Sequence, residues 1–126
     1  MLAGFSFGSI TAFISAVKQN PEELWLFSFS SYFSEDMPKL KKAWLAYISH
    51  RRAGLFNNLD FDSLAKSIKY KTLIFYGELE ARKYPLIGNR SKIANRRIKS
   101  SALFEVPNSG HDVTNLNYIK AIQANI

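Results

Sequence analysis

The sequence predicts an α/β domain on a mostly parallel sheet, with three strands, an N-terminal strand stub, and helices on both faces. Three observations carry that expectation. Helical and strand-like apolar patterns alternate along the chain, as they do in βαβ units with right-handed crossovers. Thr72-Leu73-Ile74-Phe75-Tyr76-Gly77 is an unbroken β-branched and aromatic run closed by glycine, as expected of a strand covered on both faces. Gly4-Phe5-Ser6-Phe7-Gly8 stands between an apolar stub and an amphipathic run, the setting of a tight strand-to-helix turn.

Met1-Leu2-Ala3 is the stub, too short by itself to complete a strand. The Gly-x-Ser-x-Gly turn holds its serine at a strained backbone position with the hydroxyl exposed, and both flanking glycines are expected to be needed because a Cβ would clash. Ile10, Phe13, Ile14 and Val17 then recur at i, i+3, i+4 and i+7, giving a helix with one buried face. Its free N–H groups and positive dipole end point towards Ser6. Asn20-Pro21 stops that helix. Residues 24–29, continuing weakly to Tyr32, read as the next strand.

Glu35-Asp36-Met37-Pro38 has the acids and proline of a helix start, and Leu40, Ala43, Trp44, Tyr47 and Ile48 share one face of a surface helix over residues 39–50. Gly54 and Asn57-Asn58 break it, and residues 60–64 read as the cap and first turn of a short helix ending near Ile68. Residues 32–71 therefore form a helical, cap-like excursion within a single domain, 1–126. After the strand at 72–77, Glu78-Leu79-Glu80 reads as an acidic turn and Tyr84-Pro85 opens a helix. Residues 102–107 give the last strand, punctuated by Asn108-Ser109-Gly110-His111-Asp112. Leu116, Ile119, Ile122 and Ile126 predict a final helix with those side chains inward.

Composition narrows the function. With 126 residues, 47% hydrophobic and 14% aromatic, the chain supports one domain with a sizeable core and is not disordered. The absence of cysteine excludes a disulfide framework and thiolate metal sites, and fits a reducing, cytoplasmic setting. No apolar run has the length to span a bilayer, and the N-terminus lacks the basic leader of a signal peptide. A net charge of +7 and a pI near 9.7 could favour anionic partners. The basic residues are scattered, however, so no nucleic-acid partner is expected. Only Arg90, Lys92, Arg96, Arg97 and Lys99 are dense enough to keep a phosphate-binding reading open. His50, beside Arg51 and Arg52, reads as exposed, and two distant histidines without cysteine give no metal site.

In open parallel sheets, functional groups gather at the carboxyl ends of the strands. Ser6, then Glu78 and Glu80, then His111 all fall at that edge, in the order nucleophile, acid, histidine. On Gly4-Phe5-Ser6-Phe7-Gly8, residues 73–80 and residues 106–112, the whole chain resembles the C-terminal half of the α/β-hydrolase superfamily, from the nucleophile elbow onward. The resemblance implies a partial α/β-hydrolase fold and a serine hydrolase acting on an ester or thioester, with a small-molecule acyl substrate and no cofactor. Ser6 would be the nucleophile and His111 the base. Glu80, three residues after Gly77, would be the acid, and the Phe7 N–H an oxyanion donor. Tyr32, Trp44 and Tyr47 could line an acyl pocket under the cap. The resemblance also implies a truncated form whose open sheet edge would take a second copy or a missing N-terminal half. The alternative is an idle remnant serving as an interaction module through that edge or the basic helix.

Overall fold

The computed structural model describes residues 1–40, 54 and 56–126. Trp44, Tyr47, His50 and nearly all of the helix expected at 39–50 lie outside those residues, as do Arg51 and Arg52. The described elements run in the order β1 (Leu2–Phe5), α1 (Phe7–Gln19), β2 (Glu23–Phe27), a 3-10 turn (Met37–Lys39), α2 (Phe61–Ala65), β3 (Lys71–Gly77), α3 (Glu78–Lys83), α4 (Pro85–Arg97), β4 (Ser101–Val106) and α5 (Leu116–Gln123). The strands form one sheet in the order β1-β2-β3-β4, every neighbouring pair parallel, as the α/β reading expects.

The stub is a complete short strand. Gly4 and Phe5, read as part of the turn, also continue the ladder, so that Leu2 to Phe5 pair residue by residue with Leu24 to Phe27. The Ser6 N–H extends the pairing to the Phe27 carbonyl at 2.9 Å. β2 is shorter than expected. It ends at Phe27 because Ser28 takes a φ of 50° and turns the chain away.

Both faces of the sheet are covered, by different means. On one face, Ile10, Phe13 and Ala16 of α1 meet Leu24, Leu26 and Ile74, together with Ala94 of α4. Phe13, Phe29, Phe33 and Phe61 fill the space beside them as a group of rings with centroids 5.2–6.0 Å apart. On the other face, Trp25, Leu73, Phe75 and Val106 pack against Tyr118 of α5. Phe5, Phe27, Phe75 and Phe104 are register partners across all four strands and so make one row on that face. Their rings stack at 5.0 Å from Phe27 to Phe75 and 4.8 Å from Phe75 to Phe104.

Two expectations change here. The last helix does not bury the stripe read from its sequence: Leu116 is 63% exposed, and Ile119 and Ile126 are exposed with it. Asn115 caps α5 by accepting from the Asn117 N–H, and the inward set becomes Tyr118, Ala121 and Ile122. Tyr118 takes the core position because its hydroxyl finds a buried partner there. Among the described residues, the start at Glu35-Asp36 gives the 3-10 turn Met37–Lys39, and the helix expected beyond Leu40 lies outside them. Asp36 points inward instead, accepting from Arg90 through Nε at 3.0 Å and through Nη2.

Arg90 is therefore no phosphate ligand. It is 2% exposed, its guanidinium lies 4.6 Å from the Phe61 ring centroid and 5.2 Å from that of Phe33, and Glu35 stands 3.8 Å away. Arg97 pairs with Asp62 at 3.1 Å. Among the described residues, no helix is long and apolar enough to cross a membrane.

Candidate active site

Ser6 sits between β1 and α1 at φ 55°, the left-handed region that an L-residue occupies only under constraint. Its N–H is held by the Phe27 carbonyl, while its own carbonyl accepts from the Ser9 N–H at 3.0 Å and from the Ser9 hydroxyl. The two glycines of the motif differ. A Cβ on Gly4 would overlap the carbonyl of Gly8, so only glycine lets the first turn of α1 close down on β1. A Cβ on Gly8 would meet nothing, so the expectation that both are needed holds for Gly4 alone.

The acid and the histidine are brought together by a second close approach. Gly77 ends β3, and a Cβ on it would overlap the Ser109 carbonyl. Without one, the loop after β4 settles on the N-terminus of α3, where the Ser109 carbonyl accepts from the N–H groups of Leu79 and Glu80 at 3.0 and 3.3 Å. The stretch read as an acidic turn is thus the first turn of a helix. Glu80, its third residue, curls back to accept from the Gly77 N–H at 3.0 Å, half of a capping box. That places Glu80 Oε1 against Nδ1 of His111, in a hydrogen bond that the imidazole donates as its Nδ1–H tautomer.

His111 joins the two halves of the site. With Nδ1 on Glu80, its Nε2 accepts from the Ser6 hydroxyl at 2.9 Å, a contact between residues 105 positions apart. The Phe5 ring packs on the imidazole at 4.6 Å between centroids. Glu80 is 2% exposed, whereas Glu78 accepts from the Arg82 guanidinium and, at 3.1 Å, from the Asn108 N–H. Phe7 is the first residue of α1, where a backbone N–H has no acceptor within the helix. Its side chain is 41% exposed and packs against Tyr32 and Phe56 at 5.2 and 5.4 Å.

Beside Ser6 and His111 opens a cavity of about 540 Å³. Among the described residues, Phe7, Ser30, Ser31, Tyr32, Tyr84 and Ile87 line it beside Ser6 and His111, with no carboxylate, ammonium or guanidinium. Burial pushes the Tyr32 phenol above its ordinary pKa, which keeps it a neutral donor. Of the aromatic residues expected at a pocket, Tyr32 is placed there, and Trp44 and Tyr47 are outside the described residues.

Sequence reading missed the support behind the acid. Ser28, fully buried, donates to Glu80 Oε2 at 2.9 Å, and Tyr118 lies 3.2 Å from the Ser28 hydroxyl. Burial, with the Glu80 charge nearby, drives the Tyr118 phenol far above its ordinary pKa. Ser28 had a signal available, since it follows Phe27 as Ser6 follows Phe5. Nothing in sequence separates Tyr118 from an ordinary core aromatic. Ser9, also buried, holds the Ser30 N–H at 3.3 Å and so ties the serine turn to the cavity wall.

No protein-family model and no curated protein matches the chain. It is similar in fold to the capsule O-acetyltransferase of Neisseria meningitidis serogroup A, with 18% identity and a TM-score of 0.56 over 98% of this chain and 55% of that one. A histidine-to-alanine mutant of that enzyme in complex with CoA matches at 17% identity and a TM-score of 0.58, over 95% of this chain and 54% of that one. The chain spans about half the length of these structures. These findings overturn the resemblance to the α/β-hydrolase superfamily: no family model supports it, and these two structures of similar fold are of an O-acetyltransferase.

Proposed function

We propose that this chain carries the nucleophilic centre of a serine acyltransferase, in which Ser6 takes an acyl group from a thioester and passes it to a hydroxyl acceptor. The observation that carries the reading is His111, which bridges the Ser6 hydroxyl at 2.9 Å and the buried Glu80 carboxylate. The fold shared with an O-acetyltransferase, one of whose mutants was solved with CoA, supports a thioester donor and an oxygen acceptor in place of hydrolysis.

In the first half-reaction, His111 Nε2 removes the Ser6 proton as Oγ attacks the thioester carbonyl. The C–S bond then breaks, and the leaving thiolate takes that proton from His111. In the second, the acceptor hydroxyl gives its proton to Nε2 and attacks the acyl-serine. The new ester leaves, and Ser6 Oγ recovers the proton. Glu80 holds the imidazole in the Nδ1–H tautomer and stabilises its cation throughout. The Phe7 N–H and the positive end of α1 would face the developing oxyanion, where one such donor contributes roughly 3 kcal/mol. The described part of the cavity lining, apolar rings and hydroxyls, suits an uncharged acyl group near the serine.

Intact-mass analysis of the folded chain after exposure to a fluorophosphonate probe, and separately to acetyl-CoA with and without glycerol as acceptor, tests this. A single adduct that is absent in Ser6→Ala and reduced roughly 1,000-fold or more in rate in His111→Ala is expected. An acetyl adduct should be discharged faster by glycerol than by water. No adduct on a sample shown to be folded, or an adduct that survives Ser6→Ala, would end the proposal.

A further inference from the structure

We infer that Ser28 is a positioning residue that, oriented by Tyr118 behind it, occupies Oε2 of Glu80 beside the Gly77 N–H and so leaves Oε1 as the oxygen that orients His111. The inference rests on the acyl-transfer reading of the site. A carboxylate has two nearly equivalent oxygens and rotates between them unless its partners distinguish them. Here Oε2 receives the Ser28 hydroxyl at 2.9 Å and the Gly77 N–H at 3.0 Å, and Oε1 meets His111 Nδ1. A serine hydroxyl carries one proton. Because Ser28 gives its proton to Glu80, the 3.2 Å contact with Tyr118 is a hydrogen bond donated by the phenol to Ser28 Oγ.

The donors therefore run one way, from Tyr118 to Ser28 to Glu80, and meet at that carboxylate the pair running from Ser6 through His111. Such a chain is self-reinforcing, because each donor polarises the next. Backbone geometry at Ser28 points the same way. Ser28 is fully buried at φ 50°, where glycine would turn the chain without strain. What serine adds over glycine at this position is the hydroxyl aimed at Glu80.

Ser28→Gly separates the two contributions, since it relieves the backbone and deletes the hydroxyl. Ser28→Ala deletes the hydroxyl and keeps the strain, and Tyr118→Phe removes only the outer donor. The readouts are the low-field Nδ1–H proton resonance of His111, identified by its loss in His111→Ala, and the rate of fluorophosphonate labelling. Both serine variants should lose or shift the resonance and label about tenfold more slowly than the parent. Tyr118→Phe should slow labelling about threefold, because Ser28 still donates. An unmoved resonance with parental labelling in Ser28→Gly overturns the inference, as does a defect in Ser28→Ala that Ser28→Gly cures. Should the parent itself never label, the acyl-transfer reading fails, and the resonance in Ser28→Gly and Tyr118→Phe still decides whether Ser28 positions the pair.

Discussion

Gly4 and Gly8 are the same residue at mirrored places in one pentapeptide, yet the fold treats them oppositely. Gly4 is in a strand with the backbone of α1 directly above it, and Gly8 is in the exposed first turn of that helix with open space where a side chain would be. Gly77 belongs with Gly4, because another loop lies on it as closely. The lesson is that a motif's symmetry on paper is not the symmetry of its constraints. Two backbone approaches, at Gly4 and Gly77, assemble the site, and Gly8 enters the first only through its backbone carbonyl, which any residue at that position would supply.

Substitution can break or sharpen that contrast. Gly4→Ala has the largest expected effect, because the obstruction is backbone and cannot move aside as a side chain would: a loss of about 3 kcal/mol in urea unfolding, with labelling of Ser6 abolished. An unchanged midpoint would show that α1 does not close on β1. Ser6→Gly should move stability the other way by about 1 kcal/mol while removing the proposed nucleophile, since it relieves a residue held at φ 55°. A loss of stability there would mean that Ser6 is not strained. Gly8→Ala should be the mildest, a gain of about 0.5 kcal/mol from reduced freedom of the unfolded chain, with labelling within a few-fold of the parent. Damage comparable to that of Gly4→Ala would erase the distinction.

Much of this was legible in the sequence because it was local. The run at 72–77 is β3 with one more residue at its start, and residues 102–107 are β4 displaced by one. Ser6, the pair Glu78 and Glu80, and His111 are legible from their places after the first, third and fourth strands, and Glu80, which the resemblance singles out, is the acid brought within hydrogen-bonding distance of His111. Three things were not legible, each for a physical reason. The apolar spacing from Leu116 to Ile126 named a helix but not its rotation, which the capping by Asn115 and the partner of the Tyr118 hydroxyl decide. Arg90 looked like one of five surface cations, and nothing near it in sequence discloses the inward Asp36, 54 positions earlier. Ser28 is separated from Glu80 by 52 residues, so its role appears only when β2 and β3 lie side by side.

The row Phe5, Phe27, Phe75 and Phe104 is, in effect, a datum line ruled across the sheet. Each ring is the last or nearly the last residue of its strand, and the polar or turning residue beyond it is measured from that line: Ser6 one step beyond Phe5, Ser28 one step beyond Phe27, and Gly77 two beyond Phe75. A strand slipped by one residue would turn its phenylalanine to the opposite face and carry its polar neighbour out of line with the others. Mismatched registers are thus penalised by four aromatic rings at once. The placement of a hydroxyl against an imidazole is inherited from a ruler made of hydrocarbon, whose near end is the Phe5 ring resting on His111.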